Sequence, residues 1–215
     1  IVKYYLSLIF IGSILVSINI KINGVYDSWY IAIREGFFQV ISVGTTTGFA
    51  NGDSSIWPGF SILIIIFFTI QCACSGSTSG GMKVDRAFIF FKSVKASINK
   101  QLHPSAIIPI KIGNQVIDRD TVYGVNLFIV LYLLIVFLLT LCLSFFGTSL
   151  LESFSASAAS MGNVGPAFGE LGSLGNYSSI PQAGKVILTF GMLLGRLEIY
   201  SILIVFSNKW FYSGH

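Results

Sequence analysis

Apolar and polar positions divide the chain into four long apolar runs and two shorter, more polar segments. The shorter segments, Ser28–Val43 and Ser149–Met161, each lie between two of the long runs. Helices in the long runs can cross or nearly cross about 30 Å of hydrocarbon, whereas the shorter segments cannot cross alone. The pattern therefore predicts an all-α polytopic membrane protein with two helix–half-helix–helix repeats. The long runs are Ile1–Ile20, Phe60–Cys74, Val125–Phe146 and Val186–Phe206.

A glycine-containing loop follows each half-length segment, and the two loops are related by spacing. In the first copy Glu35 precedes Gly48 by thirteen positions, and in the second Glu152 precedes Gly165 by the same thirteen. Non-helical backbone at membrane depth is tolerated only where it is buried in protein or lines a polar cavity. We therefore expect re-entrant half-helices that lead into a cation filter lined by backbone carbonyls. Simple surface loops are the alternative interpretation.

The composition agrees with a membrane protein and excludes an ordinary soluble domain. Hydrophobic residues make up 53% of the 215 residues, charged residues only 10%, and the mean hydropathy is +0.79. Soluble domains carry about 25% charged residues, and a chain of this length cannot hide so much apolar surface from water. The chain also begins inside an apolar run without an initiating methionine, so we expect it to be a piece of a longer protein.

The cysteines and histidines do not suggest redox, metal or hydrolytic chemistry. Cys72, Cys74 and Cys142 are odd in number and lie in apolar runs, which argues against a disulfide framework and favours a packing role. His103 lies in a basic loop and His215 at the end of the chain, so neither is a base at membrane depth for a serine hydrolase. We expect no enzyme activity and no cofactor in this chain.

Basic residues concentrate between the second and third apolar runs. Seven of the thirteen lie in this stretch, and the opposite side keeps only Lys21, Arg34 and Lys185. The positive-inside rule places the stretch and both termini in the cytoplasm, so that the half-length segments enter from outside. The pI of about 9.0 also allows a nucleic-acid patch, but the topological interpretation is simpler and we expect no nucleic-acid partner. The seven are Lys83, Arg86, Lys92, Lys95, Lys100, Lys111 and Arg119.

A β-hairpin is predicted inside this basic stretch. Ile107–Ile112 and Gln115–Asp118 have strand character, and Gly113-Asn114 between them is a favourable two-residue turn. We therefore divide the chain into a first pore repeat (residues 1–94), a cytoplasmic linker with the hairpin (95–120) and a second pore repeat (121–215). The hairpin is a natural docking surface for a cytoplasmic partner.

Aligning the two copies brings an arginine to the depth of a serine–glycine run. The loop glycines are 117 positions apart, whereas Pro58 and Pro181, which open the following helices, are 123 apart. The second copy therefore has six additional residues after its loop, within 169–179. The larger offset sets Arg196 opposite Ala73, next to the run Ser75–Gly81. An arginine at mid-membrane costs at least ~2.5 kcal/mol and needs a partner.

The run Ser75–Gly81 is the best candidate partner for Arg196. It holds seven consecutive small residues, three of them glycine, and such a run is a poor helix former. Its carbonyls and hydroxyls can therefore bind the guanidinium, whereas Glu198 is two positions along and points to another helix face. A close helix-packing patch is the alternative. A phosphate-binding P-loop is excluded because the Gly-Lys-Ser/Thr ending is missing.

At these residues the chain resembles the Trk/Ktr/HKT superfamily, and in particular the C-terminal half of a Trk-type potassium uptake protein. Thr45-Thr46-Thr47-Gly48-Phe49 resembles the third filter of that family, and Gly162-Asn163-Val164-Gly165-Pro166 resembles the fourth. Gly76-Ser77-Thr78-Ser79-Gly80-Gly81-Met82-Lys83 resembles its intramembrane gating loop. Gly195-Arg196-Leu197-Glu198 resembles its last helix, whose arginine faces that loop.

The resemblance implies four helix–half-helix–helix units around one K⁺-conducting pore in the cell membrane, of which two are present here. It implies three partners: the missing N-terminal half of the pore, a second copy in a homodimer, and a cytoplasmic nucleotide-binding ring. A Na⁺-permeable or ion-coupled transporter and a non-conducting membrane assembly subunit are the alternatives. The expected K⁺-binding filter residues are Thr46, Thr47, Gly48, Phe49, Asn163, Val164, Gly165 and Pro166. The expected gate residues are Ser75, Gly76, Ser77, Thr78, Ser79, Gly80, Gly81 and Arg196.

Overall fold

Helices dominate the part of the chain that the structure describes. The computed structural model describes residues 1–71, 73–74, 76–77, 79–105, 108–113, 115–197 and 199. Within them, seven α-helices and one two-stranded hairpin follow one another along the chain. The order is α1 (Val2–Ile22), α2 (Trp29–Gly44), α3 (Gly59–Ile70), α4 (Val84–Leu102), β1 (Lys111–Ile112), β2 (Gln115–Val116), α5 (Arg119–Phe145), α6 (Leu150–Gly162) and α7 (Gln182–Arg196).

The two half-length helices lie where the sequence predicts them, with each boundary displaced by one residue. Helix α6 begins after Ser149, whose side chain forms a capping box with Glu152. This box satisfies two backbone N–H groups that the helix itself leaves unpaired. Ser28 occupies the N-cap position of α2 but makes no side-chain cap bond there. A serine followed three positions later by a glutamate therefore defines the second start more firmly than the first.

The long helices differ from the predicted apolar runs. Helix α3 ends at Ile70, four residues before Cys74, and Cys72 lies outside the described residues. Helix α5 begins six residues before Val125, because Asp118 caps a polar first turn by accepting from the Asp120 N–H. Helix α7 likewise begins at Gln182, before the predicted start at Val186. Apolar runs mark the membrane-facing part of a helix, whereas capping residues set its ends. The predicted span to Phe206 passes beyond the described residues.

The basic stretch between the repeats is mostly helical. Helix α4 is continuous from Val84 to Leu102, so it passes through the division placed between residues 94 and 95. The hairpin is present but shorter than predicted: Lys111 pairs with Val116 and Ile112 with Gln115 in an antiparallel register. Ile107 and Asn114 of the predicted hairpin lie outside the described residues. Lys92 of α4 donates to the Lys111 carbonyl and ties the hairpin to the helix.

Helices α1 and α5 carry apolar side chains around most of their circumference. Among the described residues these two helices are long and apolar enough to cross a membrane, and α3 is a shorter apolar helix. Helix α5 buries Tyr132 and Val136 against the protein while Leu133 and Phe137 remain exposed on its outer side. A helix that is apolar on all sides fits a lipid environment better than water.

The two repeats interlock through their loops. Helices α1 and α2 pack together in the first repeat, as α5 and α6 do in the second, and α3 of the first repeat contacts α6 of the second. The core of the first repeat includes Val164 and Phe168, which come from the loop after α6. The second glycine loop is therefore positioned by helices from both repeats.

Candidate functional site

The two glycine loops, defined as residues 45–52 and 163–169, share an unusual backbone conformation. Thr46 and Asn163, which are 117 positions apart, are left-handed with φ of 56° and 54°. Gly48 and Gly165, at the same offset, have φ of 76° and 108°. Positive φ is uncommon for residues other than glycine. Its occurrence at two matched pairs shows that the sequence repeat is also a repeat of backbone geometry.

The hydrogen bonds that end the half-length helices repeat in the same way. In each copy the N–H of the left-handed residue and the N–H after it donate back to carbonyls in the last helical turn. These bonds close the helix and direct the next peptides away from its axis. The pairs are Thr46 to Val43 (3.0 Å) and Thr47 to Ser42 (2.8 Å) in the first copy, and Asn163 to Ser160 (3.1 Å) and Val164 to Ala159 (3.0 Å) in the second.

The two loops approach each other closely at Gly48. A Cβ atom on Gly48 would lie 2.2 Å from the carbonyl oxygen of Val164, far inside van der Waals contact. A Cβ atom on Gly165 would meet no described atom within 4 Å. Glycine at position 48 is thus required by both space and conformation, whereas glycine at position 165 is required by conformation.

A glutamate lies beneath each loop and packs against a second glycine. Cβ atoms on Gly52 and Gly169 would lie 2.7 Å from Glu35 Oε2 and 2.4 Å from Glu152 Oε1. Both glycines follow their glutamate by seventeen positions (35 to 52, 152 to 169). Sequence reasoning used the glutamates only to measure the repeat and missed these glycine partners, although the equal spacing was available as a signal.

The two glutamates are held by different groups. The Glu152 carboxylate accepts from Ser149 Oγ at 2.7 Å and from the Glu170 N–H at 3.0 Å. These bonds, with that from Ser149 the stronger influence, lower the pKa of Glu152. Glu35 is 3% exposed and pairs with Arg34 at 2.7 Å. Its other carboxylate oxygen is buried without a hydrogen-bond partner among the described residues.

The connection between α3 and α4 leaves helical form, as predicted for the serine–glycine run. Its ends are joined by backbone bonds: Met82 N–H donates to the Ile70 carbonyl at 3.2 Å and Val84 N–H to the Ala73 carbonyl at 3.1 Å. Ala73 N–H in turn donates to the Gly44 carbonyl at the end of α2 (2.9 Å). The residues on both sides of the run are therefore hydrogen-bonded to each other and to the end of α2 in the first repeat. Ser75 and Thr78 lie outside the described residues.

The described part of the run contacts both glycine loops. Thr46 Oγ1 donates to Ser79 Oγ at 2.8 Å, and a Cβ on Gly80 would lie 2.5 Å from Asn163 Nδ2. Thr46 and Asn163 are the matched left-handed residues of the two loops. Asn163 Nδ2 also donates to the Met192 carbonyl of α7 at 3.2 Å. The same backbone position in each repeat thus directs its side chain towards the run or the helix beside it.

Arg196 and the run line one small cavity. The cavity has a volume of about 110 Å³. The Arg196 side chain is exposed, and it makes no hydrogen bond within the described part of the chain, although we expected loop carbonyls to bind it. Glu198 lies outside the described residues. Sequence reasoning missed Arg86, whose guanidinium stacks 3.9 Å from the Phe128 ring centroid. The lining residues are Ser77, Ser79, Gly81, Lys83, Arg86, Phe128, Gly195 and Arg196.

One further residue at the site was not predicted. The Tyr177 hydroxyl donates to the Gly165 carbonyl at 2.7 Å. Tyr177 begins the turn 177–179, which matches the turn 54–56 of the first repeat at the offset of 123, so the tyrosine stands where the first repeat has Ser54. Gly76 and Gly81 of the run have φ of 84° and 76° and make turns.

The donor atoms gathered around the loops are backbone carbonyls and hydroxyls. Among the described residues no group of three or more His, Cys, Asp or Glu side chains could hold a metal ion. Carbonyl oxygens are ligands for hard cations such as alkali ions. Apolar helices, half-length helices ending in left-handed turns and paired glycine loops are together typical of a polytopic membrane protein.

Comparison with known proteins gives the family. The chain belongs to the TrkH family of cation transport proteins, whose sequence model matches residues 2–212. The family consists of transporters rather than enzymes, and membrane localisation follows from membership.

Named relatives agree with this assignment. The chain is 33% identical over 204 residues to the Trk system potassium uptake protein TrkH of Halomonas elongata, covering 94% of this chain and 42% of that protein. It is 32% identical over 185 residues to TrkH of Escherichia coli K12, covering 86% and 38%. The crystal structure of the potassium transporter TrkH from Vibrio parahaemolyticus superimposes with a TM-score of 0.87 at 29% identity, over 96% of this chain and 44% of that one. The chain therefore spans about two fifths of the relatives it matches.

Proposed function

We propose that this chain lines part of a pore that takes up K⁺ across the cell membrane. The observation that carries the proposal is the matched geometry of the two glycine loops, which meet where Gly48 faces the Val164 carbonyl. Paired loops that present backbone carbonyls at close range are suited to replacing the hydration shell of a cation. Relatives that match most of this chain are named potassium uptake proteins.

The ion ligands in this proposal are backbone carbonyls of the two loops. The left-handed turns at Thr46 and Asn163 reverse the chain directly after each half-length helix. The carbonyls that follow can then face a common axis, because α2 and α6 hold the loops from behind. The proposed ligand-bearing segments are Thr46–Phe49 and Asn163–Pro166.

The serine–glycine run and Arg196 form the gate in this proposal. The run lies against both loops. Ser79 accepts a hydrogen bond from Thr46 of the first loop, and Gly80 lies close to Asn163 of the second. Arg196 lines the same cavity as the run and carries a fixed positive charge that repels cations where screening is weak. Its side chain is exposed and lines this cavity, so its charge lies beside the run.

The proposed assembly includes the parts of the pore that two repeats do not provide. Two glycine loops cover two sides of a four-sided filter, so the remaining pore half, with its own two repeats, completes it. Residues 95–120 and both termini of this chain face the cytoplasm, and the hairpin tethered by Lys92 offers a surface to a nucleotide-binding ring. The pore subunits pair as a homodimer. The repeats occupy residues 1–94 and 121–215.

Uptake of radioactive rubidium into vesicles tests the proposal. The complete protein as the cell makes it is reconstituted, and saturable uptake that K⁺ inhibits far better than Na⁺ is expected. Equal inhibition by Na⁺ would indicate a Na⁺-permeable transporter, and dependence on a second ion gradient would indicate a coupled one. Properly inserted protein without uptake would reject conduction in favour of an assembly subunit.

A further inference from the structure

The first glycine loop is held by a serine that the second repeat lacks. Ser42, in the last turn of α2, donates through Oγ to the Phe49 carbonyl at 2.6 Å. The residue at the matching position of α6 is Ala159 (42 plus 117), which has no hydroxyl. The second loop therefore lacks the support that a hydroxyl at this position gives to the Phe49 carbonyl in the first.

Tyr177 supplies a hydroxyl to the second loop from a different element. It begins the turn 177–179, at the position that Ser54 occupies in the matching turn 54–56 of the first repeat. Its ring packs against the core cluster that includes Leu143, Ala159 and Ile180. From this support the hydroxyl reaches the Gly165 carbonyl at 2.7 Å. Burial raises the pKa of Tyr177 to about 12, so the group stays protonated and can donate at physiological pH.

The peptide between Gly165 and Pro166 is restrained on its proline side, where the ring fixes φ, but ψ of Gly165 is set by other contacts. Pro166 has no N–H, so the carbonyl is the one hydrogen-bonding group of this peptide. Gly165 has a φ of 108° and no described atom within 4 Å of a Cβ position. Side-chain packing at Gly165 therefore does not limit rotation of the peptide plane. The bond from Tyr177 does.

We propose that Tyr177 is a positioning residue, which fixes the direction of the Gly165 carbonyl and thereby sets the ion preference of the second loop. A carbonyl oxygen has two lone pairs, so it can accept from Tyr177 and still face an ion. A carbonyl released from this bond can rotate or shift towards a smaller ion, and discrimination against Na⁺ falls. This inference rests on the proposed function, because it assigns Tyr177 a part in the same filter.

Tyr177→Phe tests the inference, because it removes the hydroxyl and keeps the ring on its cluster. A hydrogen bond contributes about 0.5–1.5 kcal/mol, so the K⁺-over-Na⁺ preference should fall about two- to tenfold. Ion competition is measured in vesicles containing the complete protein, together with the amount of assembled transporter. Tyr123→Phe is the matched control, since Tyr123 is exposed on α5 and its hydroxyl loss should leave the preference unchanged.

An unchanged ion preference in Tyr177→Phe, whether flux is normal or falls with assembly, would overturn the inference. A wild-type protein that does not prefer K⁺ would instead reject the proposed function.

Discussion

The two glycine loops follow the same backbone path, yet different side chains support them. In the first repeat Ser42 braces the loop from its own helix, and Thr46 reaches the serine–glycine run. In the second, Tyr177 braces the loop from the turn before α7, and Asn163 reaches α7. The backbone geometry is thus the feature common to both repeats, whereas the supporting contacts differ.

The helices after the two loops differ as well. Helix α3 ends at Ile70, and the chain turns back through the run, whereas α7 continues as far as Arg196, the equivalent of Ala73. At matching positions, one repeat therefore has non-helical backbone and the other has a charged residue on a helix.

Serine substitutions at the two loop glycines should give the largest effects and should be unequal. Gly48→Ser places a Cβ against the Val164 carbonyl and also strains a positive φ, whereas Gly165→Ser incurs the strain alone. Backbone strain of this kind costs about 1–3 kcal/mol. We expect Gly48→Ser to lower the K⁺-over-Na⁺ preference by at least about tenfold and Gly165→Ser by less. Ion competition in vesicles measures both.

Gly59→Ser is a suitable control for the pair, because a Cβ at Gly59 meets no described atom within 4 Å and lies away from the loops. Equal losses in the two loop variants would show that close packing at Gly48 is unimportant. Unchanged preference in both would reject the assignment of the loops as a filter.

Arg196→Ala tests the second difference between the repeats. Removing a charge near the ion path lowers an electrostatic barrier of about 1–4 kcal/mol, so K⁺ flux per assembled protein should rise about fivefold or more. Ion preference should remain mostly intact, because the loops are untouched. Lys185→Ala removes a charge from the same helix near its start and should leave flux unchanged. A fall in flux per assembled Arg196→Ala protein would mean that the arginine braces helices instead of gating.

The glutamates beneath the loops should differ more modestly, in stability. Glu152→Gln weakens the capping box and the charge-assisted bond from Glu170 N–H, and should cost about 1 kcal/mol. Glu35→Gln should cost less, because its ion pair is with a half-exposed arginine and one carboxylate oxygen is unpartnered among the described residues. Thermal unfolding in detergent measures both. The reverse order would show that the Arg34 pair is the stronger support.

The pH dependence of unfolding sharpens this contrast. The folded-state pKa of Glu152 is lowered, so its stabilisation is complete above the ordinary glutamate pKa near 4.5 and is lost as the pH falls through the folded value. The stability difference between wild type and Glu152→Gln should therefore shrink on going from pH 7 to strongly acidic pH. A difference that stays constant would assign the effect to packing.

Local patterns in the sequence predicted the repeat and the half-length helices, because their signals are local. Ser149 with Glu152 forms a capping box, and thirteen-residue spacings locate the loop glycines. The end of α3 could not be predicted in this way, because Ala73 is held by the Gly44 carbonyl, distant in sequence. The apolar run continues to Cys74 although the helix does not.

Two features of the site show different limits of sequence reasoning. The contact of Gly169 with Glu152 could have been found, because its seventeen-residue spacing repeats at Gly52 and Glu35. Tyr177 could not, since its bond depends on how the turn 177–179 folds back over the loop. The sequence contains only two hints of a different support for the second loop: Ala159 stands where the first repeat has Ser42, and a proline follows Gly165. Both hints can be interpreted only with the structure of the first loop.

The hydrogen bonds beside the serine–glycine run have a mechanical consequence. The N–H of Val84, the first residue of α4, donates to the Ala73 carbonyl. The Ala73 N–H donates in turn to the carbonyl of Gly44, where α2 ends. The Gly44 carbonyl also accepts from the Tyr5 hydroxyl, which anchors it to α1. A displacement of α4 can therefore reach the first glycine loop through two backbone hydrogen bonds in series. Because both bonds join backbone groups, this coupling does not require particular side chains.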